Sequence, residues 1–156
     1  MNWMIADGEP PLPNVGSLLT GVGLQVHGEV TAAPPDSPDG IAEAQDGHPH
    51  EVMYRLTGRA GAPRDFDVDT GRGRQHAGAE FVLTVGSDRY QVDTDGWARD
   101  VPTGSRVTVT GRLTVVGECE WEAFALDESR ADWLVKAAAP ADNDDTRLDL
   151  VAPSNG

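Results

Sequence analysis

Cysteine and lysine are nearly absent from this sequence of 156 residues. The one cysteine, Cys119, excludes an internal disulfide framework. The sequence has no apolar run of the roughly 18 residues that a membrane-spanning helix needs, and no basic stretch followed by an apolar one at its N-terminus. We therefore predict neither a membrane span nor a secretory signal, and expect a cytoplasmic chain with one folded domain.

Positive charge is also scarce, because 26 acidic residues face 11 arginines and the single Lys136, for a formal net charge of −14. A field of this size repels nucleic acid and anionic lipid in nonspecific contacts. The charge is uneven, however. Residues 1–54 contain no lysine or arginine, whereas residues 55–76 hold five arginines against three aspartates. This middle window is the only positive one.

Apolar and polar residues alternate with a period of two in most of the ordered-looking chain, which predicts β-strands. The predicted strands cover residues 22–30, 52–56, 81–92 as a hairpin, 106–115 and 119–126. Residues 131–139 fit a strand or a helix, and no amphipathic helix stands out. Short strands with glycine-rich turns predict an all-β fold, a small antiparallel barrel or sandwich. Gly28 and Gly111 inside strands favour the barrel, which needs such kinks to curl.

Residues 103–113 read TGSRVTVTGRL. This string resembles the fourth barrel strand of bacterial single-stranded DNA-binding proteins, which reads roughly K-G-S-x-V-x-V-x-G-R-L. Residues 24–30 look like that family's opening strand, and residues 52–56 are similar to its second. The resemblance covers about residues 22–126. It implies an oligonucleotide/oligosaccharide-binding (OB) barrel whose long DNA-gripping hairpin falls at residues 58–78. A short connection with Pro102 and Gly104 replaces the family's helix before the fourth strand.

Together these observations predict three parts. Residues 1–18, rich in proline and glycine, are expected to form a flexible N-terminal arm. Residues 19–139 form the OB-like β-barrel domain, with long polar loops at 34–50 and 58–78. Residues 140–156 are expected to be an acidic, disordered tail.

The candidate nucleic-acid-binding residues combine cations for phosphates with aromatic rings for bases. Six of them lie in the arginine-rich window: Arg55, Arg59, Arg64, Phe66, Arg72 and Arg74. Arg112 lies on the polar face of the strand at 106–115, and the last candidate is the ring of Trp121. Each has a plainer interpretation. The loop arginines could pair locally with neighbouring aspartates, and Arg106 and Arg112 could line an ordinary solvent face. Trp121 could be a core residue, and the glutamates at 118, 120 and 122 would repel phosphates beside it.

Other chemistry finds little support in the residue spacings. Asp46, His48, His50 and Glu51 match no zinc pattern, and the loop that starts at Asp65 lacks the glycine and glutamate of an EF-hand. Cys119 lies between two glutamates, which disfavour a reactive thiolate. No phosphate-binding loop, nucleophile elbow or dinucleotide fingerprint is present. We therefore predict no catalytic residue, no metal site and no cofactor.

The leading hypothesis is a non-catalytic OB-fold protein that binds single-stranded nucleic acid through the arginine-rich loop and the adjoining barrel face. The alternative is an acidic OB-type module that binds a protein and no nucleic acid, in one version as a charge mimic of nucleic acid. Convergence of the arginines on one patch would favour the first hypothesis. Pairing of each arginine with a carboxylate would favour the second. The sequence leaves the oligomeric state open.

Overall fold

The computed structural model describes residues 2–5, 16, 18–44, 53–116, 131–140 and 146–151. These residues form ten strands and one short 3-10 helix: β1 (Asn2–Ile5), β2 (Leu18–Ala32), β3 (Gly40–Ala44), β4 (Met53–Ala60), β5 (Arg64–Asp69), β6 (Arg74–Val85), β7 (Asp88–Thr94), the 3-10 helix (Ala98–Asp100), β8 (Arg106–Val116), β9 (Ala131–Pro140) and β10 (Thr146–Val151). The all-β prediction is confirmed. Within the described ranges, no helix has the length and apolar character needed to cross a bilayer.

The chain folds as two compact units. A central unit comprises Gln25–Arg112, and a terminal unit comprises Met1–Leu24 together with Leu113–Gly156. The predicted domain, residues 19–139, therefore includes the whole central unit and parts of the terminal one.

Strands in the terminal unit connect the two ends of the chain. β10 pairs in antiparallel fashion with both β1 and β9, and β9 pairs with the beginning of β2. β1 also meets β8 in parallel at Met4 and Thr114.

Strands β1 and β10 lie in the segments where we expected a flexible arm and a disordered tail. Backbone pairing between them, with Asn2 opposite Asp149, orders residues that composition alone assigns to loops. For β10 a local signal exists, because Leu148 and Leu150 alternate with Arg147 and Asp149.

Strand pairings in the central unit form a closed circuit. β2 pairs with β8, β8 with β4, β4 with β6, β6 with β7, and β7 returns to β2 as its parallel neighbour. β3 and β5 extend the circuit as antiparallel partners of β4 and β6. The backbone N–H of Ala33 donates to the Arg106 carbonyl, which joins the end of β2 to the start of β8.

The core of the central unit follows from the alternation of side chains along its strands. Tyr54 and Leu56 of β4 are buried, whereas Arg55 between them is exposed. β6 buries Phe81 and Leu83 in the same way. Other strands contribute further buried apolar side chains: Val26, Val85, Tyr90, Val92, Val107 and Val109. Every strand of the circuit therefore has one face of buried apolar side chains and an opposite face that carries polar side chains.

Both predicted loops contain strands. Most of residues 58–78 form the end of β4, the whole of β5 and the start of β6, so this segment is a hairpin. Residues 40–44 of the other loop form β3. Both strands are rich in polar or small residues, and it is pairing with a distant strand that orders them. Residues 131–139 lie in a strand, and the predicted strand at 119–126 lies outside the described residues.

Candidate nucleic-acid interface

Four arginines lie on the outer faces of two neighbouring strands, β4 and β8. The inward positions of these strands hold buried apolar residues, so the alternate positions face outward. We call the outward set the arginine face: Arg55, Thr57, Arg59, Arg106, Thr108, Thr110 and Arg112. In the antiparallel register, Arg55 lies opposite Thr110, Thr57 opposite Thr108, and Arg59 opposite Arg106. The strand pattern thus alternates cations with hydroxyl groups.

Two of these arginines are open to solvent and to a ligand. Arg55 and Arg59 are exposed, and within the described ranges neither forms an ion pair. Between them, the hydroxyl oxygens of Thr57 and Thr108 lie 3.0 Å apart and hydrogen bond to each other. Arg112 is partly exposed farther along β8. The structure therefore brings together Arg55, Arg59 and Arg112, three of the predicted site residues.

Arg106 differs from these arginines because it has an acidic partner. Its Nη2 donates to the Oδ1 atom of Asp39, a residue of the segment between β2 and β3. The other carboxylate oxygen of Asp39 accepts a hydrogen bond of 2.7 Å from the backbone N–H of Gly86. The Gly86 N–H first, and Arg106 next, lower the pKa of Asp39. Asp39 is thus the residue that supplies negative charge beside Arg106.

Arg64, at the base of the β5–β6 hairpin, forms an ion pair with Glu80. Its Nε donates to Glu80 Oε1 at 2.6 Å, and its Nη2 lies 2.6 Å from the same oxygen. The Arg64 side chain is 49% exposed, whereas that of Glu80 is only 3% exposed. Burial raises the pKa of Glu80, and Arg64 opposes that shift. The charge of Arg64 is therefore paired with a carboxylate within the fold.

Glu80 belongs to a buried polar row that the sequence did not reveal. Asp93 of β7 lies directly opposite Glu80, and its carboxylate accepts hydrogen bonds from the side-chain amides of Gln25 and Gln91. Burial raises the pKa of Asp93 as well. Glu80 Oε2 and Gln91 Oε1 are buried without a hydrogen-bond partner among the described residues. In the sequence these residues occupy the polar positions of alternating strands, and such positions are expected to face solvent.

The remaining candidates lie along the hairpin. Phe66 is half-buried opposite Gly78, and a Cβ added to Gly78 would lie 3.2 Å from its ring. The ring thus covers the glycine. Arg72 and Arg74 are exposed near the far end of the hairpin, and neither forms an ion pair within the part of the chain that the structure describes. Trp121 lies outside the described residues.

An aromatic stack of the half-buried His76 and the exposed Trp97 was not predicted. The rings of His76 and Trp97 are nearly parallel, with centroids 3.5 Å apart, and the Arg99 guanidinium carbon lies 4.8 Å from the Trp97 centroid. Asp65 Oδ1 accepts from the Ala98 N–H at 2.7 Å and lies 3.2 Å from His76 Nε2. The Ala98 N–H is the main cause of a lowered pKa for Asp65.

Metal-ligating side chains do not cluster in the described ranges, where no three histidine, cysteine, aspartate or glutamate residues are placed to hold an ion. The sequence cluster that includes His48 and His50 lies outside those ranges. Comparisons with protein-family models, with curated proteins and with solved structures find no match to this chain. A functional proposal therefore rests on the geometry of the arginine face.

Proposed function

We propose that this protein binds single-stranded nucleic acid on the arginine face, without catalysing a reaction. The observation that carries the proposal is the gathering of Arg55, Arg59, Arg106 and Arg112 on two adjacent strands of a chain whose formal net charge is −14. Arginines clustered on one surface of so acidic a protein suit the binding of a polyanion. The closed circuit of strands in the central unit is proposed to be the small β-barrel that carries this face.

The dimensions of the face suit an extended strand of phosphates. Neighbouring strands lie about 4.8 Å apart, and the six steps from Arg106 to Arg112 span roughly 20 Å. Guanidinium groups bind phosphate oxygens through two hydrogen bonds, and threonine hydroxyls donate to the same atoms. Guanidinium planes also stack on bases, which matters because no aromatic side chain lies on this face among the described residues.

The salt concentration determines whether the arginine face can bind phosphate despite the negative net charge of the protein. At physiological ionic strength the screening length is about 8 Å, so a bound phosphate senses the nearest guanidinium groups more than distant carboxylates. We expect weak and strongly salt-dependent binding. Release of counterions from about four phosphate contacts gives a slope of log K against log salt near −3 for a single strand.

The test is a fluorescence anisotropy titration of the full chain with a labelled oligo-dT of about 30 nucleotides, from about 20 mM to about 200 mM salt. We expect saturable binding at low salt, weakened by Arg55→Ala and by Arg59→Ala. Arg99→Ala is the matched control, because it removes one exposed arginine that contacts Trp97 and leaves the arginine face intact. Arg72→Ala and Arg74→Ala report whether the hairpin contributes.

Absence of binding at about 20 mM salt would overturn the proposal. Equal loss of affinity in Arg55→Ala and Arg99→Ala would also overturn it, because the effect would then reflect total charge and not the arginine face. An oligo-dT duplexed with oligo-dA, added as competitor, tests the preference for single strands.

A further inference from the structure

Asp39 fills a space surrounded by hydrogen-bond donors at one end of the arginine face. Oδ1 accepts from Arg106 Nη2, and Oδ2 accepts from the backbone N–H of Gly86 in the turn between β6 and β7. The carboxylate thus links three parts of the central unit that are distant in sequence: the segment after β2, the start of β8 and the β6–β7 turn.

The surroundings of this carboxylate are those of an anion site. Arg59 and Arg106 lie directly opposite each other on β4 and β8. Like charges in that arrangement destabilise a sheet unless an anion lies near them. Arg106 and Arg59 both contribute, after the Gly86 N–H, to the lowered pKa of Asp39. The negative charge of Asp39 therefore interacts electrostatically with both guanidinium groups.

Asp39 leaves part of this donor set unused. The Nε–H of Arg106 is buried and has no acceptor among the described residues, although the neighbouring Nη2 is hydrogen bonded to Asp39. A guanidinium group is best satisfied by two parallel hydrogen bonds to one oxyanion. A phosphate group has enough oxygens to accept from Nε, from Nη2 and from the Gly86 N–H together, which the Asp39 carboxylate does not do.

We propose that Arg59, Arg106 and the Gly86 N–H form a phosphate site that the chain's own Asp39 occupies in competition with ligand. The ligand class is a phosphate group, either a diester in a nucleic-acid backbone or free inorganic phosphate. The role of Asp39 as a regulator of nucleic-acid binding rests on the proposed function, whereas the phosphate site itself does not. The carboxylate lowers the affinity of the arginine face by holding the donors that a phosphate would use.

Two variants weaken the hold of Asp39 on the site by different means. Asp39→Asn removes the charge and keeps the size of the side chain, so that the loop conformation is retained, and Asp39→Ala removes the acceptor altogether. Asp36→Asn is the matched control, because Asp36 is an exposed acid of the same segment and its replacement changes the net charge by the same amount. Far-ultraviolet circular dichroism and urea unfolding confirm that each variant folds.

The first arm titrates each full-length protein with inorganic phosphate at constant ionic strength and follows the amide resonance of Gly86 by nuclear magnetic resonance. We expect saturable shifts in Asp39→Asn and Asp39→Ala, and much weaker ones in the wild type and in Asp36→Asn. Adding Arg106→Ala to Asp39→Ala should abolish the response. The second arm measures oligo-dT affinity, which we expect to rise about twofold to fivefold in the Asp39 variants.

The arms separate the two proposals. Phosphate shifts at Gly86 without oligo-dT binding by any variant would support the phosphate site and overturn the nucleic-acid function. If the Asp39 variants show no phosphate response, the phosphate site is overturned whatever the oligo-dT result. An equal gain in affinity from Asp36→Asn would assign the effect to net charge and overturn the competition.

Discussion

Gly28 of β2 and Gly111 of β8 let two backbones come closer than side chains would allow. A Cβ on Gly28 would lie 2.0 Å from the carbonyl oxygen of Thr110, and a Cβ on Gly111 would lie 2.2 Å from that of His27. Each glycine thus faces the peptide group beside the other. Because the obstructing atoms belong to the backbone, a side-chain rotation does not make room.

Replacing either glycine by alanine should destabilise the central unit. The strands must separate to admit the methyl group, and overpacking of this kind costs about 1–3 kcal/mol, or more where backbone must move. We expect Gly28→Ala and Gly111→Ala to lower the free energy of unfolding by at least that amount in urea titrations.

Gly40→Ala is the control for this pair, because a Cβ at Gly40 of β3 meets no atom within 4 Å. We expect it to change stability by less than about 0.5 kcal/mol. If all three alanine variants behave alike, the close approach of β2 and β8 is not what Gly28 and Gly111 permit.

Arg64 and Arg55 should respond oppositely to substitution. Arg64→Ala leaves the buried Glu80 carboxylate without its cation, and because Arg64 is half exposed we expect a loss of about 1–3 kcal/mol of stability. Arg55→Ala removes an exposed charge that forms no ion pair with the described residues, so stability should stay within about 0.5 kcal/mol while oligo-dT affinity falls. Urea unfolding and anisotropy on both variants check this. Equal stability of the two variants would show that the ion pair with Glu80 contributes little.

Asp65 should hold the 3-10 helix in place. Its carboxylate accepts the Ala98 N–H at 2.7 Å, so Asp65→Ala should speed the hydrogen exchange of that amide. Asp67→Ala, two residues along the same strand, is the control and should leave the exchange rate unchanged. Identical rates in the wild type and Asp65→Ala would mean that water replaces the carboxylate without cost.

Local patterns were enough to predict part of this structure. Alternation in β4 and β8 predicts both strands, and the same parity places Arg55 on the outer face. Arg59 falls in the loop predicted at 58–78, whereas the structure places it in β4. The polar face of β8 likewise included Arg106 and Arg112. The glycines at 28 and 111 indicated sharp bends, and the structure places the two strands in close contact there.

Long-range relationships account for what the sequence did not reveal. Asp39 and Arg106 are 67 residues apart, so nothing local indicates that they pair. Glu80 and Asp93 occupy polar positions in alternating strands, and only the packing of the folded unit buries them. β5 does alternate, with Phe66 and Val68 between aspartates, but its charge is typical of a loop. Its pairing with β6 decides the outcome.

Glu80 and Asp93 should make stability depend on pH in an unusual direction. Burial raises the pKa of both carboxyl groups, so the folded chain binds protons more tightly than the unfolded chain, in which these groups titrate near pH 4. Stability should therefore fall as the pH rises from about 4 through the raised pKa values. Asp39 and Asp65 act in the opposite sense, because their pKa values are lowered and their contribution is lost only below about pH 4.

Glu80→Gln isolates the contribution of one of these groups. The amide oxygen still accepts from Arg64, and the variant no longer buries a negative charge opposite Asp93. We expect its free energy of unfolding, measured in urea between about pH 4.5 and pH 8, to fall less steeply with pH than that of the wild type. At pH 7 the variant should be as stable as the wild type or more so. Glu43→Gln, at an exposed position of β3, removes the same charge and should keep the wild-type slope. A variant that is less stable at pH 7 with an unchanged slope would contradict the prediction, because it would show that folding does not raise the pKa of Glu80 and that the ion pair with Arg64 offsets its burial.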